Sequence, residues 1–257
     1  MAIFEEWCEF DCTDTDTKRL WSLEEKDGGR AATRVRLIKT IRSHYDDLQR
    51  IADDVQRLGY DGAAAVLRER LPRTKKARSG ELGEILATEL VEEKLEYAVP
   101  VRRLRYKDGR EMALRGDDFL GIRDNGQHLS LLKGEAKSRQ RLSKATIDQA
   151  RTALGRDDGR PTATSLLFVA DRLLELEGAD ADLGRKLRDE VARRAVPAGR
   201  IEHMLFTLSG NVPLAALEND LEAASDKHVC SSINLHVEDH QEFIADIFEG
   251  ASKLGDS

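Results

Sequence analysis

Three cysteines in 257 residues are too few, and too odd in number, for a disulfide framework. Cys8, Cys12 and Cys230 suit a reducing compartment instead. No run approaches the roughly 20 apolar residues of a membrane-spanning helix. The N-terminus carries Glu5, Glu6, Glu9 and Asp11 where a signal peptide needs a basic start and an apolar stretch. The expected location is therefore cytoplasmic. Basic excess is missing too: 41 Lys/Arg against 48 Asp/Glu give a net charge of −7. That argues against a protein that coats DNA through uniform basicity. There is no Gly-rich phosphate loop, no Gly-x-Gly-x-x-Gly and no His-Glu-x-x-His, so a bound nucleotide or dinucleotide has no support. Zinc is disfavoured as well. Cys8 and Cys12 have no second pair, and packing and capping account for His236 and His240 near Cys230. Internal repeats and low-complexity tracts are absent.

What is present is a chain with 40% apolar and 35% charged residues, enough to build a core. The length fits one large domain, or one domain with a smaller helical appendage. Charge is unevenly spread. Arg73–Lys144 holds 17 Lys/Arg against 12 Asp/Glu, while the flanks hold 24 against 36. A basic middle sits between acidic ends.

Residues from Lys18 to Arg70 read as helical, with Ile38, Ile41, Tyr45, Leu48, Ile51 and Val55 at spacings of three and four. Trp7 and Trp21 lie in the N-terminal region and suit helix packing or a partner contact better than base stacking. Gly59 and Gly62 break the pattern, and Pro72 ends a short helix. Arg73, Lys75, Lys76 and Arg78 read as a basic linker. A helix capped by Ser79 then runs to Leu95. Its Glu84 shares a stripe with Ala87, Val91 and Leu95, and an acid inside an apolar stripe needs a partner or a function.

A three-strand meander follows: 99–107, a turn at Asp108-Gly109, 112–123, a turn at Asp124-Asn125-Gly126, and 129–137. Residues 143–154 read as a helix, and the apolar run 165–170 as a buried strand. Helices at 183–194, 213–224 and 240–253 alternate with strands at 201–208 and 229–237. Asp239 and Glu242 resemble a capping pair for the last helix. The expected fold class is α/β. Residues 1–72 form a helical region packed on a core, and 73–257 form the functional domain with a C-terminal α/β extension.

Alternation along 129–137 places Glu135 and Lys137 on one face, with Gly134 and Ala136 making the other face small. In a hairpin, Asp118 approaches both. Two carboxylates and an ammonium at the open end of a sheet suit Mg²⁺, which takes hard oxygen ligands and keeps several waters. The main-chain carbonyl of Ala136 is a third oxygen. Such a metal activates water against a phosphodiester, while Lys137 orients that water or offsets charge. On spacing alone, Glu135 and Lys137 equally describe a solvated strand face paired across one pleat. The two turn-defined hairpins and the upstream Glu84 favour the site. Asp117 competes with Asp118, which is preferred because it shares its face with Leu120 and Ile122. Arg102, Arg103, Arg105, Lys107, Arg110 and Arg115 on the first hairpin, with Arg139, Arg141 and Lys144 beyond the site, form a candidate track for the DNA backbone without base readout.

Gly-Asp-Asp at 116–118, Gly-Glu-x-Lys at 134–137 and Glu84 upstream resemble the PD-(D/E)xK, or restriction-endonuclease-like, nucleases. That resemblance implies an αβββαβ core over 79–170. Asp118 then stands for the metal-binding Asp, Glu135 and Lys137 for the (D/E)xK pair, and Glu84 for the first-helix acid, which would hold a metal-bound water or a second metal. Gln149 lies where some members place a glutamine. The proline often found before the Asp is absent. More closely, GELGEILATEL, RGDDFLGI and LLKGEAKSR resemble the HamA-like nuclease subunits of the Hachiman anti-phage defence system. This implies a bacterial, Mg²⁺-dependent DNA endonuclease or nickase (Mn²⁺ substituting) that works with a HamB-like helicase partner. The other reading is a catalytically silent DNA-binding or scaffold subunit that regulates such a helicase. The acidic ends are the expected docking surfaces for a partner that holds the enzyme inactive.

Overall fold

The computed structural model describes residues 2–112 and 114–255. Among these, six strands form one mixed sheet: β1 (Cys8–Asp14), β2 (Lys18–Glu25), β3 (Phe119–Asp124), β4 (Leu129–Arg139), β5 (Ile201–Ser209) and β6 (Val229–His236). The order across the sheet is β1-β2-β6-β5-β4-β3. The four inner strands run parallel, and the two outer strands are antiparallel to their neighbours. Buried on both faces, β5 is apolar through most of its length, as an inner parallel strand must be.

Helices cover both faces. On one lie α1 (Phe4–Trp7), α2 (Gly29–Tyr45), α4 (Lys75–Lys94) and α9 (His240–Ala251), packed over Leu132, Ala136, Phe206 and Ile233. On the other, α6 (Ala163–Leu174) and α7 (Ala179–Arg193) cover Leu120, Ile122, Leu131 and Ile201. Beside them, α5 (Lys144–Gly155) and α8 (Leu214–Ala223) cover Leu205. The remaining helix, α3 (Leu48–Arg70), is broken at Gly59, whose φ of 71° and ψ of 174° are not helical. The expected break there is found.

Several expectations are corrected. Residues 8–14 and 18–25 are strands rather than part of a helix, and the helical stretch begins only at Gly29. Pairing decides this: Lys18 to Glu24 lies in register with Cys230 to His236 of β6, and that partner is remote in sequence. The supposed helical region 1–72 thus contributes two strands to the common sheet. Thr74, not Ser79, caps α4, its hydroxyl accepting from Ala77 N at 3.2 Å. The basic linker is accordingly the first turn of that helix.

Residues 99–107 are not a strand. A 3-10 turn at Arg103–Tyr106 stands there, and among the described residues only one bridge from the preceding chain, Ala98 to Ile122, reaches the far edge of β3. Side chains have replaced the ladder: Glu92 accepts from Val99 N at 2.9 Å and pairs with Arg102. β3 starts only at Phe119; Ala113, inside the strand expected at 112–123, lies outside the described residues. The apolar run 165–170 is helix, capped by Thr162, whose hydroxyl accepts from Ser165 N. Leu166, Val169, Ala170 and Leu173 are its buried apolar residues, a spacing of three, one and three that a run of six residues is too short to reveal. Over 79–170 the order is therefore α4, β3, β4, α5, α6, with two strands rather than three. The strand parallel to β4 comes later, as β5. Asp239 makes no side-chain cap on α9.

Candidate active site

The β3–β4 hairpin fixes the register. Phe119 pairs with Gly134, so the next step outward sets Asp118 opposite Glu135. Close approach there requires glycine: a Cβ on residue 134 would lie 2.0 Å from the Phe119 ring. Asp124 and Asn125 side chains accept from main-chain N–H groups in the turn and lock it.

The Asp doublet divides its work. Asp117 is buried, and its Oδ2 accepts from Thr162 N at 2.8 Å and from Thr162 Oγ1 at 3.1 Å. Its Oδ1 lies 3.7 Å from the buried Lys133 ammonium. Asp118 turns the other way: its Oδ2 accepts from Ala136 N at 2.8 Å and lies 3.8 Å from Lys137 Nζ. Lys137 Nζ also donates to Glu135 Oε1 and, at 3.2 Å, to the Ala136 carbonyl.

The three oxygen groups expected to hold a metal thus converge on one cation, the Lys137 ammonium. Among the described residues no three His, Cys, Asp or Glu side chains form a metal-holding group, and the third oxygen here is main-chain. The donor set is all oxygen, two carboxylates and a carbonyl, which fits a hard divalent ion. Glu84 stands across a small chamber that Asp118 and Arg103 also line. Burial, and then the Asp118 carboxylate, push its carboxyl well above the usual range. Burial also raises Asp118, against the pull of Lys137 and Ala136 N–H. In Glu135, burial and Asp118 raise the carboxyl and Lys137 opposes them. Three acids pushed upward together mark a place where a cation would be welcome.

An open cleft runs from Glu135 and Lys137 along α5, lined by Gln149 and Thr152 and ending at Arg156. Gln149 therefore meets the site. Arg115 and Arg141 are exposed, Arg139 donates to the Ser138 carbonyl, and Lys144 pairs with Asp148; none of the four lines the cleft. Most cations of the first hairpin segment are spent inside the protein. Arg102 pairs with Glu89 and Glu92, Arg105 with Asp47, Lys107 with Glu81 and Arg110 with Glu69. Arg103 is buried, donating to the carbonyls of Asp117, Asp118 and Arg115.

Arg103 and Lys133, which hold the Asp117–Asp118 segment, were not singled out for that part by the sequence. For Lys133 a signal existed, since a lysine inside Leu-Ser-Leu-Leu-Lys-Gly needs a buried partner. His240 and Cys230 serve structure: His240 Nε2 lies 3.0 Å from Ser138 Oγ, and Cys230 is a buried free thiol.

A HamA family model matches residues 1–251. The chain belongs to the HamA family. The match takes in every residue of the site, from Glu84 to Arg156. Among curated proteins, the Hachiman protein HamA of Bacillus cereus is 27% identical over 180 residues. That alignment spans 70% of this chain and 63% of the relative. Within this HamA-family chain, no helix of the described residues is long and apolar enough to cross a membrane.

Proposed function

We propose that this HamA-family chain is a Mg²⁺-dependent deoxyribonuclease, cutting or nicking DNA on a restriction-endonuclease-like core. It serves as the effector subunit of a cytoplasmic Hachiman anti-phage system with a HamB-like helicase as partner. The observation that carries this reading is the convergence of the Asp118 and Glu135 carboxylates and the Ala136 carbonyl on a single cationic point. That point opens onto a polar cleft. The antiparallel pairing of β3 with β4, and the parallel pairing of β4 with β5, agree with such a core.

The residues divide the work. Asp118 and Glu135, with the Ala136 carbonyl, would hold the divalent ion, which would lower the pKa of water and polarise phosphate oxygen. Asp118 has one oxygen tied to Ala136 N–H, which fixes the direction of the other. Lys137, released from its carboxylate partners, hydrogen-bonds the attacking water and offsets charge on the phosphate. Glu84, with its raised carboxyl, takes up or returns a proton near Asp118.

Plasmid cleavage tests it. Glu135→Ala and Lys137→Ala are each expected to lower Mg²⁺-dependent cleavage by about 100-fold or more, with an unchanged circular-dichroism spectrum. A wild-type protein that leaves plasmid uncut with Mg²⁺ or Mn²⁺, even with helicase and ATP, would overturn this reading and support the silent-subunit one.

A further inference from the structure

The cleft ends on a cation that no described residue engages. Arg156 follows α5 directly, is exposed, and lines the cleft with Lys137 and Gln149. Among the described residues its guanidinium has no hydrogen-bond or ion-pair partner. This sets it apart from the neighbouring Arg151 and Arg160, which are paired with Asp220 and Glu190. The acid on the same wall, Asp148, is already taken by Lys144 at 2.7 Å.

The backbone beneath Arg156 is held firmly. Its carbonyl accepts from Lys133 Nζ at 2.8 Å, and the same ammonium donates to the Arg160 carbonyl at 2.8 Å. Between them Asp157 and Asp158 both stand at φ 57° and Gly159 at φ 78°, a left-handed turn that non-glycine residues adopt only under constraint. His203 Nε2 fastens the turn to the Gly159 carbonyl at 2.7 Å. Lys133 also faces Asp117, the neighbour of Asp118. One buried ammonium therefore fixes both the segment that carries Asp118 and the segment that carries Arg156. The guanidinium is free while its anchor is not, the arrangement of a group kept for an external anion.

Taking a nucleic-acid strand as substrate from the nuclease reading, we propose that Arg156 grips a backbone phosphate adjoining the one that faces Glu135 and Lys137. Arginine suits that task because its planar, permanently charged fork binds phosphate through two N–H groups. No base is read by such a contact.

The experiment measures binding of a labelled DNA duplex to the full-length protein by fluorescence anisotropy, with Ca²⁺ in place of Mg²⁺ and across a salt series. Arg156→Ala is expected to weaken binding about 5- to 10-fold, equally for unrelated sequences, and to lower the log–log salt slope by about one. Arg156→Lys should restore the slope, and Arg57→Ala on α3 should change neither quantity. Wild-type binding that survives Arg156→Ala with unchanged affinity and slope overturns the proposal and leaves the nuclease reading standing. The expected loss of binding in a protein that never cleaves DNA supports the phosphate grip and removes the nuclease. A wild-type protein that does not bind DNA overturns both.

Discussion

Asp117 and Asp118 are adjacent in the chain and opposite in use. Asp117 is buried against Lys133 and the start of α6, so Asp117→Ala would strand an interior ammonium. Removing one partner of a buried pair costs about 3 kcal/mol or more, and urea unfolding should register that loss. Glu84 behaves in the reverse sense. Its folded pKa is raised, so the stability it lends is complete below the ordinary glutamate range and is lost as pH rises through the raised value. Glu84→Gln should therefore raise the melting temperature at neutral pH while impairing catalysis. His203, buried beside His228 and the Asp157–Gly159 turn, is pushed down to about 4. The unfolded chain binds its proton first, so stability falls as pH drops from the ordinary histidine range towards 4. His203→Gln should flatten that part of a stability–pH curve. The sequence made the choice of Asp118 reachable, because strand alternation gave it the apolar face. It did not reveal what Asp117 does, since Thr162 lies 45 positions away and its capping role needs the fold.

At the scale of elements, the β3–β4 hairpin was legible and the segments around it were not. Asp124-Asn125-Gly126 supplies a turn with φ 84° at Gly126, and alternation on either side specifies the pairing. Residues 99–107 have the same composition as a strand, but Arg102 and Arg103 find carboxylates and carbonyls that compete with a ladder. Residues 165–170 show the opposite failure. A six-residue run with five apolar members is too short to carry a period, and the Thr162 cap three residues upstream decides for helix. The hairpin's weak point is its crossing at residue 134. Gly134→Ala would drive a methyl into the Phe119 ring, and overpacking of this kind costs about 1–3 kcal/mol. Because Asp118 directly precedes Phe119, cleavage should suffer beyond the loss of stability. Assaying activity well below the variant's melting temperature separates the two effects.

For the whole molecule, the decisive contacts lie between residues far apart in sequence. β2 closes on β6 some 200 positions later, and Phe4, Trp7 and Leu23 enter the same core as α9. Local patterns cannot announce such pairing, which is why the first 25 residues read as helix and as a separate region. Deleting residues 1–27 should therefore abolish the cooperative thermal transition rather than yield a trimmed, folded protein. Calorimetry checks this. The uneven charge is also sharpened by the fold. The basic middle looks like a DNA track in sequence, yet Arg102, Arg103, Arg105, Lys107 and Arg110 are consumed internally. What remains for a polyanion is a small number of cations around one cleft, so affinity should be weak and local.

The position of Lys137 between Glu135 and Asp118 gives this centre its own counter-ion. On the proposed reading, loading a divalent ion would be an exchange rather than an addition. The incoming ion would have to displace a tethered competitor that cannot diffuse away, and the displaced ammonium would stay within reach of the cleft. The event that completes the cage would then also free its lysine.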